Sequence, residues 1–245
     1  MSFSKLNYFI MQDSIAIIPA RGGSKRIPNK NIREFVGSPI LSYSIKAALD
    51  SGLFHKVIVS TDSTEIAELA VKFGATVPFM RSVENSGDFA TTADVISEVI
   101  SKLHEKGEEY SAVCCIYPTA PFVTAAKLID TFALLNSGSY DSVLPVCAFS
   151  FPVQRSLKLG KDGIAAFVYP EFENTRSQDL EKYYHDAGQF YWLKTTAFLK
   201  DRKIISGNTG AIIVNETEVQ DIDNETDWQL AEIKYQQLLN RKKEC

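Results

Sequence analysis

Apolar runs and amphipathic stripes alternate along the first half of the chain. Ser14 to Pro19 (SIAIIP) is apolar almost throughout, the mark of a strand covered on both faces. Val57 to Ser60 (VIVS), Ala112 to Tyr117 (AVCCIY) and Ser142 to Val146 repeat that pattern, and Thr76 to Phe79 predicts a further short strand. Between the runs, apolar residues recur every three or four positions, as on one face of a helix. They are Ile40, Leu41, Ile45, Ala48 and Leu49 after Pro39; Ile66, Leu69 and Ala70 before Gly74; Val95, Ile96, Val99, Ile100 and Leu103 before Gly107; and the stretch Ala125 to Leu135. Asp62, with Glu65 three residues on, predicts the cap of the second of these helices, and Thr91 the start of the third. Buried strands alternating with helices predict an α/β fold, a mostly parallel sheet covered on both faces.

After Val146 the rhythm breaks. Gln154 to Val168 predicts a hairpin around Gly160-Lys161-Asp162-Gly163, and 169–187 is polar, tyrosine-rich and aperiodic. Gly188 to Leu193 and Ala211 to Val214 read as strands. A last helix from about Thr226 sets Trp228, Ala231, Tyr235 and Leu238 on one face. The expected organisation is a single domain over 14–245, with an excursion at about 147–187 and an N-terminal extension over 1–13. That extension, MSFSKLNYFIMQD, has a short apolar run and no small-residue cleavage site, unlike a signal peptide; Met11 is a candidate natural start. No apolar stretch approaches bilayer length.

With 45% hydrophobic and 23% charged residues the composition is that of a globular protein, and 245 residues suffice for a core without disulfides. A net charge of -4 argues against a general binder of nucleic acid or anionic membrane. Cys114, Cys115, Cys147 and Cys245 form no CxxC pair, so zinc is not expected, and all four suit a reducing cytoplasm. Any basic cluster in so acidic a chain is a local feature with a local task.

Such a cluster follows the first strand. From Ala20 to Arg33 stand Arg21, Lys25, Arg26, Lys30 and Arg33, with no acid. Gly22 and Gly23 let main-chain amides approach a ligand closely, and amides in such a loop form an anion-binding concavity. In an open parallel sheet, the loop beyond a strand's carboxyl end is where ligands bind. An isolated Gly-Gly is more often a plain solvated turn; here placement and charge together favour a polyphosphate. The loop matches neither GxxxxGK[ST] nor GxGxxG.

ARGGSKRIPNKN (20–31) resembles the signature loop of the CMP-sugar synthetases, the cytidylyltransferases acting on sialic-acid-like sugars, and the resemblance runs from Ser14 to Glu232. It implies a Rossmann-like three-layer nucleotidyltransferase fold with a protruding dimerisation segment. It also implies that Arg21, Gly22, Ser24, Lys25, Lys30 and Asn31 hold the triphosphate of CTP. Arg26 stands where many relatives have glycine. RSVENSGDFATT (81–92) resembles the segment that embraces the nucleotide, which assigns cytosine and ribose contacts to Arg81 and Thr92 and makes Asp88 its acidic member. Read without the resemblance, Thr92 is a helix-start residue and Asp88 a loop carboxylate.

YPTAPF (117–122) resembles the family's QPTSPLR element, with Tyr117 in place of glutamine and Val123 in place of arginine, both on the sugar side. In NTRSQDLEKYYHDAGQFYW (174–192), Arg176 is a candidate clamp for a sugar carboxylate, because guanidinium pairs bidentately with carboxylates. Gln178 can bond hydroxyls or an amide. His185-Asp186-Ala187-Gly188 stands where sialic-acid enzymes show Asn-Gly; Tyr117, Asp186 and Gln189 join Arg176 and Gln178 in the expected sugar-binding set. His185 is read as a hydrogen-bonding or packing residue rather than a general base. Both strings resemble the pseudaminic acid branch of the family.

VQDIDNETDW (219–228) supplies Asp221 and Asp223, which point the same way if the segment is extended and offer hard oxygen ligands to Mg²⁺. A bare pair of acids before a helix is more often a helix start, the reading kept for Asp227. Likeness to the family's DIDTxxD metal element turns Asp221 and Asp223 toward metal binding. The implied reaction moves CMP from CTP to the anomeric hydroxyl of an acidic nonulosonic sugar, pseudaminic acid first, with release of pyrophosphate. Arg21, Lys30 and Asp223 are its expected catalytic residues, and a cytoplasmic homodimer its expected form. The alternatives are N-acetylneuraminate, legionaminate or 3-deoxy-octulosonate as acceptor, and a non-catalytic CTP-binding regulator.

Overall fold

The computed structural model describes residues 13–244. The expected N-terminal extension, Asp13 apart, and Cys245 lie outside the described residues. The strands are β1 (Ser14–Pro19), β2 (Glu34–Phe35), β3 (Ser38–Pro39), β4 (Lys56–Ser60), β5 (Ala112–Ile116), β6 (Ser142–Ala148), β7 (Leu157–Leu159), β8 (Ala165–Phe167), β9 (Tyr184–Asp186), β10 (Phe190–Lys194) and β11 (Thr209–Ile213). The helices are α1 (Ile40–Ser51), α2 (Thr64–Lys72), α3 (Thr92–His104), α4 (Ala125–Asn136), α5 (Thr195–Asp201) and α6 (Glu225–Glu244).

The central sheet runs in the order β11-β6-β10-β5-β1-β4. β1 is parallel to β4 and β5, and β11 to β6; β10 lies antiparallel between β5 and β6. Alternate residues of β1 feed two cores. Ala16 and Ile18 pack with Leu41 and Ile45 of α1 and Leu128 and Phe132 of α4. Ile15 and Ile17 pack with Ile96, Val99 and Leu103 of α3 and Phe198 of α5. Both faces are therefore covered, which is why the strand reads as unbroken apolar sequence. Burial of each such side chain contributes roughly 1.5–3 kcal/mol.

A third apolar cluster decides where the loops sit. Trp228 and Ala231 of α6 are buried against Ile27, Phe35, Phe122 and Ile222. One helix thus gathers the basic loop, the YPTAPF turn and the acidic segment. Arg33 reinforces it, pairing with both oxygens of Glu225 at 2.6 and 2.7 Å while its guanidinium lies 4.4 Å from the Trp228 ring centre.

Several elements differ from the sequence expectation. Ser63, not Asp62, caps α2 and accepts from the Ile66 N–H, because the Asp62 carboxylate is turned back to the basic loop. The strand expected over Thr76 to Phe79 shrinks to one bridge between Thr76 and Ile58; Pro78 has no N–H with which to extend it. β9 and α5 are additions, β9 pairing antiparallel with the end of β6. The hairpin β7–β8 forms as expected, with the Gly160 N–H donating to Ile164 O at 2.9 Å.

Candidate active site

From β1 the chain moves to β4 on one side of it, and later returns to β5 on the other. Loops leaving β1 and β5 diverge at that switch point and open a crevice at their carboxyl ends. The crevice is a cavity of about 550 Å³. Arg21, Ser24, Lys25, Arg26, Lys30 and Asn31 line it from the first loop, and Tyr117, Pro118 and Thr119 from the second. Asp88, Asp221 and Asp223 complete the wall.

The basic loop is held from beneath. Buried Asn31 donates its Nδ2 to Arg21 O at 2.8 Å, and the Gly22 N–H donates to Asp62 Oδ1 at 2.8 Å. A Cβ on Gly22 would stand 3.1 Å from Ser63 Cβ, so glycine here serves the close approach of two loops. Asn31 and Gly22 shape the loop through these bonds. Lys30 reaches across the crevice, donating its Nζ to Ile222 O at 2.6 Å. Burial lowers its pKa, opposed by the nearby carboxylates of Asp223 and Asp221.

Acids face the remaining cations. Asp88 bridges Arg21 at 2.9 Å and Lys25 at 2.5 Å, and those bonds hold its carboxyl below the usual range. Arg26 pairs with Asp223 at 2.7 Å. Asp88 therefore meets two of the cations expected to hold phosphates. Desolvation raises the pKa of Asp221, and neighbouring Asp223 raises it further. A carboxylate whose ionisation is opposed by a neighbouring carboxylate marks a place where a cation is favoured. Among the described residues no group of three or more His, Cys, Asp and Glu forms a metal cage. An all-oxygen pair beside a basic wall fits Mg²⁺, which keeps waters and shares itself with anionic oxygens.

On the other wall, Tyr117 stands edge-on to Tyr191 with ring centres 5.3 Å apart, and its hydroxyl is 3.5 Å from Thr92 Oγ1. Tyr191 donates to Asp186 Oδ2 at 2.6 Å, while Asp186 Oδ1 accepts the Gly188 N–H at 2.8 Å. The structure does not bring every expected residue to the cavity. Arg81 is buried, its Nε donating to Ser60 Oγ at 3.0 Å and its Nη2 to Ser60 O, so it braces the end of β4. Gln189 is buried with its amide donating to Glu218 O at 2.6 Å. Arg176 and Gln178 lie on the exposed excursion, where Arg176 pairs with Asp179 at 2.7 Å.

A cytidylyltransferase family model matches residues 15–225. The chain belongs to the cytidylyltransferase family. It is 38% identical over 222 residues to pseudaminic acid cytidylyltransferase of Campylobacter jejuni subsp. jejuni serotype O:2, covering 91% of this chain and 96% of that protein. It is 31% identical to CMP-N,N'-diacetyllegionaminic acid synthase of Legionella pneumophila, covering 89% and 94%. Among solved structures, CMP:2-keto-3-deoxy-manno-octonic acid synthetase complexed with CTP superposes with a TM-score of 0.66 at 16% identity, covering 92% of this chain and 99% of that one. That likeness concerns the fold, and it bears out the Rossmann-like α/β architecture with a mostly parallel sheet. The protein is a CTP-dependent nucleotidyltransferase.

In this cytidylyltransferase, Asp62 holds the basic loop through Gly22 and Tyr191 packs behind Tyr117, two supporting contacts that sequence reasoning missed. A hydroxyl inside the apolar FYWL strand was the available signal for Tyr191. The raised Asp221 pKa carries a stability consequence. Above that raised value the ionised carboxylate costs folding free energy; below the ordinary value both states are protonated and the cost disappears. Asp221→Asn is therefore expected to raise Tm at neutral pH, with the gain fading as pH falls through the raised value. Because the side chain faces solvent, screening limits the gain to about 1–2 °C. Thermal melts across pH 4–8 check this, and an unchanged or lowered neutral-pH Tm would contradict it.

Proposed function

We propose that this cytidylyltransferase transfers CMP from CTP to the anomeric hydroxyl of pseudaminic acid and releases pyrophosphate. The observation that carries the reading is one cavity with a basic glycine loop on one side and Asp221 with Asp223 on the other. Likeness to the Campylobacter pseudaminic acid cytidylyltransferase over most of both chains supports the choice of sugar. The sugar's anomeric oxygen bonds to the α-phosphorus as the bond from that phosphorus to the α–β bridging oxygen breaks, and the hydroxyl proton passes to water. Arg21, Lys25 and Lys30 neutralise charge growing on the departing pyrophosphate. Ser24, Asn31 and the Gly22 backbone shape the phosphate cradle, and Thr92 contacts the nucleotide. Asp221 and Asp223 would hold Mg²⁺, which supplies Lewis-acid polarisation of phosphoryl oxygens when bound.

Nucleotide choice tests the reading. With the sugar present, CTP is expected to be turned over at least about 100-fold faster than ATP at equal concentration, the scale on which one or two lost base contacts act. Comparable rates with ATP would refute it. A non-catalytic CTP-binding regulator is the weaker reading, because binding alone does not call for the paired carboxylates.

The working form is a cytoplasmic homodimer. The excursion presents Phe151, Leu159 and Ile164, which are 85%, 75% and 65% exposed, and such apolar surface calls for cover. A second copy supplies that cover and lets Arg176 serve the neighbouring sugar site. Phe151→Asp combined with Leu159→Asp is expected to give a monomer by light scattering, with sugar turnover reduced at least tenfold; a persisting dimer would refute the excursion as the dimerisation segment. No described helix is long and apolar enough to cross a membrane, and the buried thiols of Cys114, Cys115 and Cys147 agree with a reducing compartment.

A further inference from the structure

The segment carrying Asp221 and Asp223 belongs to no sheet. Between β11 and α6 the chain forms only the short 3-10 turn Glu216–Glu218. Partly buried carbonyls outside a ladder need other donors, and here side chains supply them. Gln189 Nε2 donates to Glu218 O at 2.6 Å, Lys234 Nζ to Val219 O at 2.7 Å, and Lys30 Nζ to Ile222 O at 2.6 Å. Lys234 also donates to Gln220 Oε1 at 3.1 Å. Downstream, Asp227 Oδ2 accepts the N–H groups of Asp223 and Asn224 at 2.9 and 3.0 Å. Val219 and Ile222 are buried, which sets the segment's depth but not its rotation.

We propose that Lys234 is a positioning residue, holding the main chain beside Asp221 so that the two carboxylates stay aimed into the phosphate cavity. This rests on reading Asp221 and Asp223 as metal ligands. Lys234 projects from α6, the helix that also carries Trp228, so it ties the carboxylate segment to a helix anchored in the third apolar cluster. An ammonium donor to a carbonyl is charge-assisted and stronger than a neutral one. It lines the second cavity that Asp221 borders, on the side away from the basic loop. Lys234 is thus not placed to meet the triphosphate. Its effect reaches the reaction through the carboxylates.

The test uses the full chain with Lys234→Met, Lys234→Arg and Asp223→Ala. One readout is binding of Mn²⁺ alone, followed by loss of the free-ion EPR signal. The other is the Mg²⁺ concentration giving half-maximal pyrophosphate release at saturating CTP. Lys234→Met is expected to weaken both by about tenfold or more, the range found for side chains that orient metal ligands. KM for CTP should stay within twofold, and Lys234→Arg should restore most of the loss. Lys234→Gln, too short to reach the carbonyl, is expected to behave as Lys234→Met and serves if that variant does not fold. Wild-type Mn²⁺ affinity in Lys234→Met, or a parallel rise in KM for CTP, would overturn the assignment. Asp223→Ala separates the two levels. If it loses Mn²⁺ while Lys234→Met does not, the positioning role alone fails; if it binds Mn²⁺ as wild type does, the metal reading fails and this inference with it.

Discussion

Asp223→Ala is expected to lower pyrophosphate release at least about 10³-fold at saturating CTP and magnesium, roughly 4 kcal/mol of transition-state stabilisation. Asp223 faces the cavity, and its one ion pair among the described residues is to exposed Arg26, so little of the core depends on it. An exposed pair of this kind contributes at most about 1 kcal/mol. Tm should therefore move by no more than about 2–4 °C. The loss should appear in kcat and kcat/KM alike, because a cation that Asp223 would hold offsets the charge that grows on the departing pyrophosphate in the transition state. A well-folded Asp223→Ala protein with near-normal turnover in magnesium would refute its catalytic assignment.

The second large effect concerns the acceptor. In competition at equal concentration, pseudaminic acid is expected to be used on the order of 10³-fold faster than N-acetylneuraminic acid. Tyr117 lines the wall opposite the basic loop and stands edge-on to buried Tyr191, so a phenol ring rather than an amide side chain meets the cavity there. Both oxygens of Asp186 are already engaged, by Tyr191 and by the Gly188 N–H, so this carboxylate aims Tyr191 rather than standing free. Such a wall suits a methyl terminus and acylated amino groups. A chain of hydroxyls packed against phenol rings would lose hydrogen bonds to water without replacement. Preferential formation of CMP-N-acetylneuraminate would overturn the choice of sugar and leave the cytidylyltransferase reading intact. Legionaminic acid, which carries the same groups in another stereochemistry, is the stricter comparison.

The sheet was legible because its central strands are buried on both faces, so Ser14–Pro19 and Ala112–Ile116 stand out as apolar runs. β10 was legible as a strand, but its antiparallel direction depends on where the excursion returns the chain. β9 was not, since three polar or aromatic residues pairing with the end of β6 carry no periodicity. The basic loop and Asp221–Asp223, 190 residues and more apart, did converge on one cavity. Side-chain assignments were less legible. Arg81 reads as a ligand-facing cation, yet a buried guanidinium that satisfies the end of β4 carries the same letter. Asp62 reads as a helix cap, yet its oxygen goes to Gly22. In both cases the competing partner lies about 20 or 40 residues away, beyond any local pattern.

The central claim is that CMP passes intact from CTP to an acidic sugar. Phosphorus NMR of the protein with CTP, magnesium and pseudaminic acid tests it directly. The account predicts one new phosphodiester signal and inorganic pyrophosphate, growing in equal amounts as CTP disappears. Conversion of CTP to CDP and phosphate without a sugar adduct, or unchanged CTP under these conditions, would contradict it.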